Sequence, residues 1–335
     1  MKILFRVSGG KAPKKQLGFG HIFRAIHLSK TLTQNKIYFL CEDYGGVKKI
    51  LKKNKIKNIS ILQKNITVSD DIKETISLVK KNDIDIVIVD KFKISKNYLK
   101  KIQKISKVVV ITDLGNYDYP GDLIINGFVK FPNSITLNSF NSKCLLGPKY
   151  QILNPKFSKK YHFSKKFTVL ATFGGFDENN IIEKLLKIIP KFFPTLKIKI
   201  ILGPSTIKTK KIKEFEKLFP KNVVILQETS NMAKEISSCK FGLCAGGLTS
   251  YEFASMGIPM GIISQVPHQL QTAKQWEKNN FAINLGLVDQ KITSKIETFL
   301  EKIINKNPRF NHNKILDGDG SSRIAKHIKN LSQNL

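Results

Sequence analysis

Three glycine-bearing segments of this chain could bring backbone N–H groups and polar side chains against a ligand. The first reads Leu17-Gly18-Phe19-Gly20-His21-Ile22-Phe23-Arg24. Gly18 and Gly20 at a helix start let a ligand approach the main chain closely, and the helix dipole there favours an anion or developing negative charge. His21 falls in the first turn, where the dipole disfavours imidazolium and leaves the ring able to take up a proton. A tight turn with His21 as a capping or core residue is the competing reading. The second segment, Thr172-Phe173-Gly174-Gly175-Phe176-Asp177, suits either packing glycines or a phosphate-facing turn, with Asp177 as an N-cap. The third is Cys244-Ala245-Gly246-Gly247-Leu248-Thr249-Ser250-Tyr251-Glu252. Here Gly246 and Gly247 open the approach, and Thr249 and Ser250 offer hydroxyl donors to phosphate oxygens. Glu252 lies a turn further in, beside Phe253, Ala254 and Met256, where its carboxylate can accept hydrogen bonds from vicinal ribose hydroxyls. Favourable dipole placement on an exposed helix start is its alternative.

Such segments need strands before them and helices after them, and the hydrophobic pattern supplies both. Apolar runs at Lys2–Val7, Lys36–Cys41, Ile84–Asp90 and Lys107–Ile111 read as buried strands, with helical spacing at Gly20–Thr33, Ser69–Lys81 and Ser95–Ile105 between them. Phe131–Phe163 carries Pro132, Pro148 and Pro155 with little periodicity and reads as a hinge. The alternation restarts with strands at Phe167–Thr172, Lys197–Leu202, Asn222–Leu226, Phe241–Cys244 and Pro259–Ile263, and a helix at Glu178–Ile189. Alternation of this kind builds parallel sheets covered on both faces. The expected class is α/β: two Rossmann-like domains, 1–157 and 158–335, facing each other across a cleft. Ligands bind beyond the carboxyl ends of the strands in such sheets, which is where the three glycine segments fall.

Length and composition suit that plan. The chain has 335 residues, 41% hydrophobic and 24% charged, enough for two cored domains and unlike a disordered chain. Lys and Arg total 57 against 25 Asp and Glu, a net charge of +32. The lysines recur on the polar sides of Ile- and Leu-rich stretches instead of forming one block, so the charge does not argue for a nucleic-acid partner. Cys41, Cys144, Cys239 and Cys244 make no CxxC pair and no zinc-finger spacing, and are expected to be reduced, buried thiols. The opening MKILFRV meets Ser8-Gly9-Gly10 too soon for a signal peptide, and no window approaches the roughly 18 apolar residues of a membrane span. The expectation is a soluble cytoplasmic protein with no transmembrane segment, peripheral membrane contact being left open.

Several elements recur in a fixed order. A GxGHxxR element is met by Gly18, Gly20, His21 and Arg24, and a Leu-Leu-Gly-Pro-x-Tyr-x-x-Leu-x-Pro-x-Phe run by Leu145 through Phe157. Phe173–Asp177 gives Phe-Gly-Gly-x-Asp, and Gly246–Glu252 gives Gly-Gly-x-Thr-x-x-Glu. Gln269 with Ala273, and Asp-Gly-x-Gly-x-x-Arg at Asp317–Arg323, complete the series. Together they resemble the GT-B fold of two Rossmann domains, related to the peptidoglycan GlcNAc transferase. More narrowly, the chain resembles the UDP-2,4-diacetamido-2,4,6-trideoxy-β-L-altropyranose hydrolases of pseudaminic acid biosynthesis and their spore-coat-polysaccharide relatives.

The resemblance implies hydrolysis of a UDP-linked amino-deoxy sugar to UDP and free sugar, with no cofactor and no metal. His21 would be the base that activates water for attack at the anomeric carbon. Gly246, Gly247, Thr249, Ser250 and Glu252 would hold UDP, with Gly18, Gly20, Arg24, Asn126, Gly174, Gly175 and Gln269 as further substrate contacts. The chain departs from the family pattern in its first half. Arg6-Val7 leads to Ser8 where the family has Asp, and the segment to Leu17 is lengthened and carries Lys11, Lys14 and Lys15. Asp90-Lys91-Phe92 replaces Asp-His-Tyr, and Asn126-Gly127-Phe128 replaces Asn-Gln-Asn. A UDP-sugar ligand therefore follows more firmly than the altrose derivative itself. A glycosyltransferase using a sugar or lipid-linked acceptor is the alternative enzyme, and a non-catalytic sugar-nucleotide or nucleic-acid binder the alternative outside enzymes.

Overall fold

A computed structural model describes residues 1–10, 18–91, 93–175, 177–306, 308–311 and 315–332. Lys11, Lys14 and Lys15 of the basic segment, with Phe92 and Phe176, lie outside the described residues. The chain opens with β1 (Lys2–Gly9), α1 (Gly20–Ser29), β2 (Lys36–Asp43), α2 (Val47–Lys53), β3 (Asn58–Leu62) and α3 (Val68–Asn82). It continues with β4 (Ile86–Asp90), α4 (Lys96–Gln103), β5 (Lys107–Ile111), β6 (Leu123–Asn126), β7 (Ser134–Leu137) and β8 (Lys143–Leu146). These strands form one sheet in the order β3-β2-β1-β4-β5-β6-β8-β7, parallel except for β7, which runs antiparallel to β8. Near-continuous apolar runs such as Ile86–Val89 are what a sheet covered on both faces requires, and Leu4, Val87, Val89, Val108 and Ile124 form its core towards α3 and α4. Thr67 caps α3 by accepting from the Asp70 N–H, and Ser95 does the same for α4 from Tyr98.

The segment expected to be a hinge is more ordered than its prolines suggest. β7 and β8 both fall within Phe131–Phe163 and extend the first sheet. At four residues each they offer too little alternation to read as strands.

A second sheet follows. Its elements are β9 (Phe167–Thr172), α5 (Ile181–Phe192), β10 (Ile198–Leu202), α6 (Lys210–Leu218), β11 (Val223–Gln227) and α7 (Met232–Ile236). Then come β12 (Cys239–Ala245), α8 (Leu248–Ser255), β13 (Met260–Ser264), α9 (Pro267–Lys278), β14 (Ala282–Leu287) and α10 (Ile292–Asn305). The strand order is β11-β10-β9-β12-β13-β14, parallel throughout. In both sheets the order reverses after the first strand, between β1 and β4 and between β9 and β12. That switch point is where doubly wound sheets open a crevice for ligands.

The chain divides into two units, Met1–Pro155 with Gly318–Leu335, and Lys156–Asp317. The final helix α11 (Gly320–Ser332) therefore packs with the first unit, whereas the division at 157/158 had placed it in the second. The cause is a close-fitting seat at Gln151. A β-carbon on Gly127 would lie 2.7 Å from the Gln151 Cα, and one on Gly320 would collide with the Gln151 carbonyl. The Ser321 hydroxyl then donates to the Leu153 carbonyl at 2.7 Å, and Arg323 to that of Lys149 at 3.2 Å. Two of the sequence elements, the Leu145–Phe157 run and the Asp317–Arg323 run, thus serve this junction within the first unit.

Candidate active site

α1 starts at Gly20, within the first glycine segment, with Phe19 at its N-cap and no side chain capping it. His21 projects from its first turn towards the end of β4, where its Nδ1 lies 2.6 Å from Asp90 Oδ1. Arg24 Nη2 stands 3.0 Å from the same nitrogen. A guanidinium cannot accept, and a bare nitrogen lone pair would repel the carboxylate, so the ring proton sits on Nδ1 and points at Asp90. That tautomer leaves Nε2 as an acceptor, with no partner among the described residues. Asp90 is fully buried; burial alone would push its carboxyl up, but Arg24 and His21 hold it below the usual carboxylate range.

Arg24, expected among the substrate contacts, turns its donors inward. Its Nε donates to Asp90 Oδ2 at 2.8 Å and its Nη2 to Asp90 Oδ1 at 2.6 Å. Its Nη1 and Nη2 also engage the two oxygens of Asp113, which follows β5. Asn126 is likewise occupied. Its amide donates to Thr112 Oγ1 and to the Leu114 and Asn116 carbonyls at 2.8–3.1 Å, and its oxygen accepts from the Phe128 N–H, which ties the end of β6 to the loop after β5. Gly18 is half-buried and Gly20 exposed, with open space where a β-carbon would stand.

The departures of the first half feed a second buried network on the opposite face of the sheet. The Arg6 guanidinium pairs with Asp71 at 2.7 and 2.9 Å and with Glu42 at 3.3 Å. The Ser8 hydroxyl donates to Glu42 at 2.5 Å. Lys91 pairs with Asp71 and lies 5.0 Å over the Tyr98 ring. Burial alone would raise Asp71, but Arg6 and Lys91 hold it low. Ser8 and Lys91 are thus internally paired, and Asp90-Lys91 sends one side chain to each network.

In the second unit the two helix starts that follow glycine segments differ. At α5, Asp177 accepts from the N–H groups of Ile181 and Ile182 at 2.9 and 2.8 Å, with burial pushing its carboxyl up. Gly175 accepts from the Ser205 N–H at 2.9 Å. This helix end already holds a carboxylate, so Gly174 and Gly175 serve the turn between strand and helix. At α8, by contrast, the N-cap is Gly247 and no side chain caps it. Gly246 is required by close approach: a β-carbon there would lie 2.6 Å from the carbonyl oxygen of Gln269, in the first turn of α9. The Gln269 side chain in turn accepts from the Gln265 N–H at 2.9 Å. Thr249 is half-buried, and its hydroxyl carries no hydrogen bond among the described residues. Ser250 is fully buried; its hydroxyl donates to the Gly247 carbonyl at 2.7 Å and accepts from the Trp276 indole at 3.0 Å, so it braces the turn and is not left to a phosphate.

Glu252 is 8% exposed, which removes the reading of an exposed helix start. Its carboxyl has no hydrogen-bond or ionic partner among the described residues, and burial raises it from 4.5 to about 7. Such a group suits a ligand bearing paired hydroxyl donors. Sequence reasoning missed Asp113 and treated Asp90 only as a departure. The signal was an acid ending an apolar run, in Ile86–Asp90 and again just after Lys107–Ile111. Among the described residues no group of three or more His, Cys, Asp or Glu side chains could hold a metal ion, and no helix is long and apolar enough to cross a membrane.

No family model matches the chain. It is 25% identical over 339 residues to the spore coat polysaccharide biosynthesis protein SpsG of Bacillus subtilis, covering 94% of this chain and 95% of that one. It is 26% identical over 290 residues to the UDP-2,4-diacetamido-2,4,6-trideoxy-beta-L-altropyranose hydrolase of Campylobacter jejuni, covering 84% and 98% respectively. An uncharacterized protein of Methanocaldococcus jannaschii is 26% identical over 267 residues, 75% of this chain; the match spans 54%, about half, of that protein's length. Among solved structures, MurG of Acinetobacter baumannii matches over 100% of both chains, with 16% identity and a TM-score of 0.59. The S. aureus MnaA-UDP co-structure matches over 100% of this chain and 97% of that one, with 14% identity and a TM-score of 0.64. Two mostly parallel sheets with their helices, matched end to end by these structures, give the chain the GT-B fold.

Proposed function

We propose that the protein hydrolyses a UDP-linked amino-deoxy sugar to UDP and the free sugar, in nonulosonate or surface-polysaccharide biosynthesis. The observation that carries this reading is the His21–Asp90 pair, in which Nδ1 is held by a buried carboxylate and Nε2 is left for chemistry. The named similarity to the Campylobacter hydrolase supports it. In the proposed reaction, water attacks the anomeric carbon while His21 Nε2 takes its proton. The bond from that carbon to the β-phosphate oxygen breaks, and UDP leaves with the electron pair. Asp90 fixes the ring's tautomer and stabilises the imidazolium as it forms. The second unit is assigned the nucleotide, with the uncapped start of α8 near the leaving charge and Glu252 accepting from the ribose hydroxyls.

The same pair could deprotonate an acceptor hydroxyl, which is the glycosyltransferase alternative. Incubating the protein with a panel of UDP-sugars in ¹⁸O-water, with and without candidate acceptors, separates the two. Hydrolysis as written releases free sugar without an acceptor and places label on the anomeric carbon. Label on the β-phosphate would mean cleavage of the phosphorus–oxygen bond and would remove His21 as the base for anomeric attack. Turnover only when an acceptor is present would make the protein a transferase.

A further inference from the structure

We infer that Asp113 is a positioning residue for His21 that acts through Arg24, an inference that rests on the reading of His21 as the base. Arg24 Nη2 lies 3.0 Å from His21 Nδ1 and donates to the same Asp90 oxygen as the ring does. A positive charge so close, and largely shielded from water, opposes uptake of a proton by the ring. Asp113 meets that charge from the other side. Its two oxygens engage Nη1 and Nη2 of Arg24, the second at 3.0 Å. The guanidinium is thereby held between two carboxylates and not left bearing on the imidazole alone.

The surrounding elements supply little else. Among the described residues, the charged groups that contact the His21 ring are Arg24 on α1 and Asp90 at the end of β4, and Asp113 after β5 contacts Arg24. The end of β1 contributes Gly9, packed against Ile22 of α1, while Ser8 and Lys91 lie on the opposite face of the sheet, paired with Glu42 and Asp71. His27, further along α1, is buried and burial lowers it to about 3, so it stays neutral across the working range. The Asp113 side chain is half exposed, whereas Asp90 is fully buried. A merely structural part for Asp113 would be to brace α1, which would affect stability and leave the titration of His21 untouched.

The test is an NMR titration of the ring resonances of His21 in the full chain, assigned by their loss in His21→Asn. In Asp113→Asn the midpoint should fall below the wild-type position as the Arg24 charge is uncovered. Asp113→Glu, which keeps the charge, should restore it to near the wild-type position. Arg24→Gln removes the cation and should move the midpoint the other way, which keeps the inference testable if Asp113→Asn does not fold. Where turnover is measurable, the acid limb of kcat/KM should move with the Asp113→Asn midpoint while KM stays within about twofold. An unmoved midpoint in Asp113→Asn, with or without a lower melting temperature, overturns the inference, as does a fall in Arg24→Gln. Moved midpoints in a protein that turns over no UDP-sugar would instead count against the hydrolase reading alone.

Discussion

Glu252 places a carboxyl where water barely reaches and nothing among the described residues holds it, so its protonation is tied to whatever binds there. Its value of about 7 lies above the ordinary 4.5, so the folded chain takes up this proton more readily than the unfolded one. The resulting stability is fully present below about 4.5 and is lost as pH rises through about 7. The difference corresponds to about 3 kcal/mol. Glu252→Gln should therefore melt several degrees higher than wild type at pH 8.5, with the gap closing by pH 5, as calorimetry across that range will show. It should also weaken UDP, and the decline in wild-type UDP affinity below about pH 7 should be absent from the variant. His21→Asn probes the other residue. It should cut turnover by about 10²–10⁴-fold while UDP affinity stays within a few-fold, because the nucleotide is assigned to the other unit. Comparable losses in both quantities, read from steady-state rates and calorimetric titration, would mean that His21 holds the nucleotide.

Among the elements, α11 is joined to the first unit by a contact that leaves no room for a methyl group. Gly320→Ala drives a β-carbon into the Gln151 carbonyl and should destabilise the first unit by about 1–3 kcal/mol. Trp276, the single tryptophan, is buried in the second unit, so its fluorescence reports that unit separately. The expected result is an earlier loss of far-UV dichroism in urea with the Trp276 transition unmoved; a shift of both would mean that α11 stabilises the whole chain. This contact also marks where sequence reading stops. Phe167–Thr172 and Lys107–Ile111 could be read residue for residue, because a short run rich in apolar and β-branched residues between polar flanks has one good solution in a covered sheet. The three glycine segments fell where strands meet helices for the same reason. Which of those helix starts stayed open was legible only where the partners are local: Asp177 was expected to cap and accepts from Ile181 and Ile182, whereas the Trp276 indole that engages Ser250 lies far along the chain. The Asp317–Arg323 run carried no structural reading of its own in the sequence, because the residue that demands Gly320 lies at Gln151, far away in the chain.

At the scale of the molecule, the second unit is one continuous stretch whose sequence falls between the two segments of the first. Its sheet is complete within that stretch, and so are the uncapped α8 start, Gly246, Gln269 and Glu252. The fragment 156–317 should therefore fold alone and bind UDP. A hundredfold excess over its dissociation constant should stabilise it by about 2.7 kcal/mol, followed by Trp276 fluorescence in urea. A fragment that folds but ignores UDP would remove the assignment of the nucleotide to this unit. Removing the residues after Asp317 should leave that affinity intact and damage the first unit instead.

The seat of α11 on Gln151 also has a bearing on how the chain is born. A ribosome delivers Met1–Pro155 before Lys156–Asp317, and α11 only after the whole of that stretch has emerged. At about 5–20 residues per second, that interval lasts roughly ten to thirty seconds. Throughout it, Gly127 and Gln151 have no helix to seat, while the stretch being made behind them holds everything its own sheet needs. The later-made stretch can thus close its own sheet before the earlier strands receive the helix that seats on Gln151.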